Sequence, residues 1–161
     1  MTGKNSEKER LQFLARVVEG EARNLKATDS RLFARPFTAE TAACLDEDQE
    51  MSERVDAFVA RFSRLQDTLG DKLLPALLEA LGEERLILID RLDKAEKFGW
   101  LQSSDQWMAI RQLRNQMIHE YIEDPKVLAE ALQTGHDYVE ELLNTAGSML
   151  DEIRRRGWWP D

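Results

Sequence analysis

Residues 124–157 read DPKVLAEALQTGHDYVEELLNTAGSMLDEIRRRG, and this stretch decides the fold class. Leu128, Leu132, Gly135, Val139, Leu142, Ala146, Met149 and Ile153 recur at steps of three and four residues. That spacing lines one stripe of an α-helix and makes a seam suited to packing on another helix. Asp124 can cap the first turn, and Pro125 falls at the first helical position, where a missing N–H is tolerated. Gly157 then stops the helix. The expected helix covers about residues 125–156 and is on the order of 45 Å long. A rod of that length with a single apolar stripe needs partner helices.

Working outward, the same periodicity returns in every other segment, and no strand pattern is found. A first helix is expected over about Ser6–Lys26, with Leu11, Leu14, Val18, Ala22 and Leu25 on one face. Arg35-Pro36-Phe37 breaks the chain, and Thr38 or Thr41 can cap a short helix reaching Asp46. Val55, Phe58, Val59, Phe62, Leu65 and Leu69 place the next helix over Glu50–Leu69. Gly70-Asp71 reads as a break or kink before Leu73, Leu74, Leu77, Leu78 and Leu81, with Pro75 in the first turn and Gly82 at the end. The apolar run Leu86–Ile89 is assigned to a helix from about Glu83 to Lys97 rather than to a buried strand, closed by Gly99. Ser103 or Ser104 then caps a helix of about residues 103–122. The whole chain, 1–161, is thus expected to be one all-α domain, an up-and-down bundle of about five or six helices.

Composition bounds the function. The chain is 42% hydrophobic and 33% charged, ordinary for a globular domain built of amphipathic helices. No window approaches the roughly 18 apolar residues of a membrane span, and residues 1–10 have no signal-peptide core. A cytoplasmic protein without membrane attachment is expected. A single cysteine, Cys44, excludes an internal disulfide and a cysteine metal cage, and it reads as a small apolar residue near a helix. Neither a metal nor a cofactor is expected, because the carboxylates at Glu120, Glu123 and Asp124 form no convincing ligand set. The net charge of −9 disfavours tight, nonspecific nucleic-acid binding. Arg85, Arg91, Lys94, Lys97, Arg111 and Arg114 gather between residues 85 and 114 and leave room for a small positive cleft.

The candidate site is Arg114-Asn115-Gln116-Met117-Ile118-His119-Glu120-Tyr121, which holds one of only two histidines and one of only two tyrosines. At about 100° per residue, Trp107, Ile110, Leu113, Met117, Ile118 and Tyr121 form one apolar arc, and Arg114 falls inside it. A guanidinium there must meet a carboxylate, a phosphate, a partner chain or a solvated cleft, because an unpaired buried charge is costly. Asn115 and His119 share a flank, with Arg111 one turn back. Arg114 and His119 stand roughly 140° apart on a straight helix, so a kink, a curved cleft or a second copy of the chain must complete any common site. The chemistry suits metal-free RNA cleavage. Imidazole, which titrates at about pH 6.5 when unperturbed, can exchange the proton of a 2′-hydroxyl or of the leaving oxygen, while arginine holds the phosphate. A satisfied structural network is the competing interpretation of the same residues. His136 reads as a surface or core residue, and Trp158-Trp159 as a cap on the end of the bundle.

The spacing Arg114, four residues, His119, one residue, Tyr121 resembles the signature of HEPN-family proteins, in particular the HepT-like toxins of prokaryotic toxin–antitoxin pairs. The segment Leu92–Leu101, Trp107, the Arg-Gln-Leu-Arg-Asn run and Pro125–Leu128 look similar too, so the resemblance covers about Asp56–Ile153. It implies a bundle that dimerises so that two motif copies line a shared cleft. It also implies Arg114 and His119 as catalytic residues of a metal-independent endoribonuclease, with Asn115 and Arg111 supporting them. Tyr121 matches a tyrosine that a partner nucleotidyltransferase antitoxin modifies with AMP. The implied partners are a second copy of the chain, RNA and that antitoxin. The alternative is a noncatalytic nucleotide- or partner-binding helical subunit of a nucleotidyltransferase.

Overall fold

The computed structural model describes residues 2–83, 85–119 and 123–159, apart from the side chains of Thr2, Lys4 and His119. The described residues form seven α-helices and no strand: α1 (Thr2–Leu32), α2 (Ala39–Ala43), α3 (Gln49–Thr68), α4 (Leu74–Ala80), α5 (Leu88–Lys97), α6 (Ser104–His119) and α7 (Pro125–Arg155). A 3-10 turn, Leu45–Glu47, links α2 to α3.

Side-chain pairs fix the directions of the four long helices. Gln12 donates to the Trp158 carbonyl, Arg154 meets Glu19, and His136 meets Asp29, so α1 and α7 run antiparallel. Thr68 donates to Glu21 and Arg61 to Thr28, so α1 and α3 are antiparallel as well. Arg114 meets Asp67 and Arg111 meets Asp71, which sets α6 against α3 in the same sense. The order α1, α3, α6, α7 is therefore the expected up-and-down bundle. Its shared core takes the expected stripe of α7, with Leu132, Val139, Leu142, Ala146, Met149 and Ile153 all buried.

Three departures from the sequence reading have identifiable causes. Helix α1 runs on to Leu32, beyond the expected end at Lys26, because Leu32 continues the buried stripe and only Pro36 enforces a stop. Residues 70–71 do not break the chain. A single π turn, Leu69–Leu73, joins α3 to α4 in one rod, with the Leu74 N–H reaching back to the Leu69 carbonyl. Pro75 follows at once. It has no N–H to give and its ring would crowd the carbonyl four residues back, and the wider turn relieves that clash. Helix α5 starts only at Leu88, not at Glu83. Gly82 adopts φ 84° and ends α4, and the Glu83 N–H closes the turn on the Leu78 carbonyl. The chain is still extended at Ile87, with ψ 163°, and Leu88 packs against the core as α5 begins. Cys44 lies beside a helix as expected, exposed at the end of α2.

The rod α3–α4 is the central element. From Phe62 to Leu78 it buries Leu65, Leu69, Leu73, Leu74 and Leu77 together with the polar Ser63, Gln66 and Thr68. Gly70 lets α6 approach. A methyl group there would sit 3.3 Å from Trp107 Cζ2, and Trp107 is almost fully buried.

Candidate functional site

Helix α6 carries the motif. Ser103 starts it by accepting the Gln106 N–H at 3.2 Å, and two carboxylates of α5 tether its first residue. Glu96 accepts the Ser104 N–H at 2.9 Å and Asp93 accepts the Ser104 hydroxyl at 3.1 Å. Negative charge at a helix N-terminus is favourable, so this tether fixes both the start and the axial position of α6. Trp107, Ile110 and Leu113 then bury against the core.

Arg114 shares that inward face, as expected, and the structure supplies the carboxylate it needs. Asp67 of α3 takes the guanidinium side-on. Nε donates to Oδ1 at 2.9 Å and Nη2 to Oδ2 at 2.6 Å. Two parallel charge-assisted bonds fix the guanidinium plane as well as its position. The Arg114 side chain is 17% exposed and that of Asp67 37%, so the pair lies at the rim of the bundle rather than in its core. Exposed Asn115 joins it by accepting from Arg114 Nη1 at 3.2 Å. One turn earlier, Arg111 reaches Asp71 at 4.0 Å. Two acids of the rod thus face two arginines of α6, Asp67 just before the π turn and Asp71 within it.

The structure brings together Arg111, Arg114 and Asn115 of the expected site. His119 is the last residue of α6, and its side chain lies outside the described residues. Tyr121 and Glu120 lie outside them too. Asp124 caps α7, as expected, by accepting the Lys126 N–H at 2.9 Å. Ile118 is 42% exposed and does not join the buried arc. With Met108, 38% exposed, and Asn115, it leaves a mixed apolar and polar strip on the outer flank of α6. Three of the six cations of residues 85–114 are matched by acids among the described residues. Lys94 pairs with Glu83, Arg111 with Asp71 and Arg114 with Asp67.

Two acids and one histidine pair were missed by the sequence reading. Asp67 and Asp71 stand four apart on a largely buried helix, and that placement is the available signal. Their partners lie 40 residues or more away, beyond the reach of any local pattern. His136, read as solitary, contacts Asp29 at 2.7 Å through Nδ1 and stacks on Phe33 with ring centroids 4.3 Å apart. Trp158 and Trp159 pack against the core, with Arg156 and Arg154 over their rings, as an end cap would. No group of three or more histidine, cysteine or acidic side chains among the described residues is arranged to hold a metal ion.

Comparison of the chain with protein-family models, with characterised proteins and with solved structures gives no match in any of the three.

Proposed function

We propose that the chain is a metal-independent endoribonuclease toxin of the HepT-like kind. It works as a homodimer whose two α6 helices line one cleft, and a nucleotidyltransferase-type antitoxin neutralises it. The observation that carries this reading is the Asp67–Arg114 fork, which aims a guanidinium at the rim of the helix that also carries His119. Arginine held side-on by a carboxylate is oriented before substrate arrives, and preorganised charge is the largest contribution to stabilising a phosphoryl transition state. The strip of Met108, Asn115 and Ile118 gives α6 an outer flank suited to a second copy, and the roughly 140° between Arg114 and His119 calls for one.

In this mechanism His119 takes the proton of the ribose 2′-hydroxyl as its oxygen attacks the phosphorus. The bond to the 5′-oxygen breaks, that oxygen takes up a proton, and a 2′,3′-cyclic phosphate remains. Arg114 offsets the charge that grows on the phosphoryl oxygens, with Asp67 and Asn115 holding it in place. Arg111 supports substrate binding, and Tyr121 is the residue the antitoxin modifies with AMP.

Purified protein should cut labelled RNA in EDTA. His119→Ala should abolish cutting, and Arg114→Ala should slow it by about 10²–10³-fold. Equal cleavage by the His119 variant sinks the proposal. The second reading is a noncatalytic nucleotide- or partner-binding subunit of a nucleotidyltransferase. It draws on the net charge of −9 and on Asp67 already satisfying Arg114 electrostatically. Firm partner binding without RNA cleavage would select it.

A further inference from the structure

A second basic site lies away from α6. The end of α1, the turn around Pro36 and the first turns of α3 enclose a cleft of about 400 Å³. Its floor is apolar, with Leu32 2% and Phe37 5% exposed and Met51 half-buried beside them. Its charged lining is Arg31, Arg35 and Arg54, with no acidic side chain among the described residues that line it. Pro36 creates this arrangement by ending α1, which folds Phe37 back into the core and leaves Arg35 at the mouth.

Two acids lie nearby. Glu50 and Glu53 line a separate, smaller cleft that shares only Arg31 and Arg54 with the first. Glu50, three-quarters exposed, takes Arg54 Nη2 at 2.9 Å. Arg54 Nε is shut off from solvent with no acceptor among the described residues, so part of this guanidinium is desolvated without compensation. Three planar cations over an apolar floor make a divided surface. Guanidinium forks match phosphate oxygens, whereas the floor rewards a flat apolar body. The volume falls within the range of ordinary ligand pockets. A bare anion would leave the floor unused, and an uncharged apolar molecule would leave the arginines unused.

We propose that this cleft binds a nucleotide, with its phosphate on Arg31, Arg35 and Arg54 and its base over Leu32, Phe37 and Met51. The site is independent of the ribonuclease reading, since no residue lining it belongs to α6 or α7.

Isothermal titration of the full chain with AMP, adenosine and inorganic phosphate tests the proposal. AMP should bind saturably at one site, with adenosine and phosphate each at least about tenfold weaker, since each lacks one half of the ligand. Arg31→Gln and Arg35→Gln, both at exposed positions, should each weaken AMP about tenfold while leaving the melting temperature of the unliganded protein unchanged. Absence of saturable binding at millimolar AMP would overturn the proposal. So would AMP affinity unmoved by both substitutions, or phosphate binding as tightly as AMP.

Discussion

Asp67→Ala and Arg114→Ala, measured singly and together, form a cycle that isolates the central contact of the site. The pair has two bonds, at 2.9 and 2.6 Å, between side chains 37% and 17% exposed. Fully exposed pairs contribute about 0–1 kcal/mol, and breaking a fully buried pair costs about 3–5 kcal/mol. Solvent reaches this carboxylate, so the buried limit has to be discounted, while the fork geometry places the pair above the exposed limit. A coupling of about 1–2 kcal/mol follows. For a domain of this size each kcal/mol moves the melting temperature by roughly 2–4 °C. Urea denaturation of the four proteins at neutral pH and moderate salt gives the coupling directly. Arg114→Ala should cost less than Asp67→Ala, because removing the acid leaves a largely covered guanidinium without the two Asp67 bonds. A coupling below about 0.5 kcal/mol would refute the claim that Asp67 orients Arg114.

Two glycines of α7 should respond to alanine with opposite signs. A methyl group at Gly147 meets nothing within 4 Å, so Gly147→Ala should stabilise by about 0.5–1 kcal/mol through helix propensity. At Gly135 the methyl would sit 3.1 Å from Cε1 of fully buried Phe58, and crowding outweighs propensity, for a net loss of about 1 kcal/mol in the same melts. Glu21 gives a pH signature. Burial raises its carboxyl above the ordinary 4.5, against the Thr68 hydrogen bond and the nearby Arg64 and Lys72, which lower it. Between its unfolded and folded pKa values the native state therefore binds more protons than the unfolded chain, and stability falls as pH rises through that window. Glu21→Gln should be more stable than the parent above the window, with the difference closing as pH falls toward 4.5; a difference independent of pH across urea melts would show that burial is not the cause.

The reach of sequence reasoning follows the distance between interacting residues. The stripe of α7 and the caps at Thr38 and Asp124 were legible because each depends on neighbours within one or two helical turns. The π turn was not. Gly70 and Asp71 look like a local break, but the rod continues because the leucines on both sides share one core and the rod passes under Trp107. The start of α5 failed for a related reason, since an apolar run signals burial without saying whether a helix has begun.

For the site, helical periodicity alone assigns Arg111, Arg114, Asn115 and His119 to one helix and sets Arg114 among apolar neighbours, because both follow from a period of about 3.6 residues. It could demand a counter-charge for Arg114 but not name one. Packing of α6 on the rod makes Asp67, 47 residues upstream, a partner of Arg114 and sets Asp71 facing Arg111 beside it. The antiparallel packing of α6 on the rod sets that register. The same holds for Arg31, Arg35 and Arg54, scattered along the chain and gathered only when Pro36 turns it back against α3. Local periodicity fixes which face a side chain occupies, and packing alone fixes what that face meets.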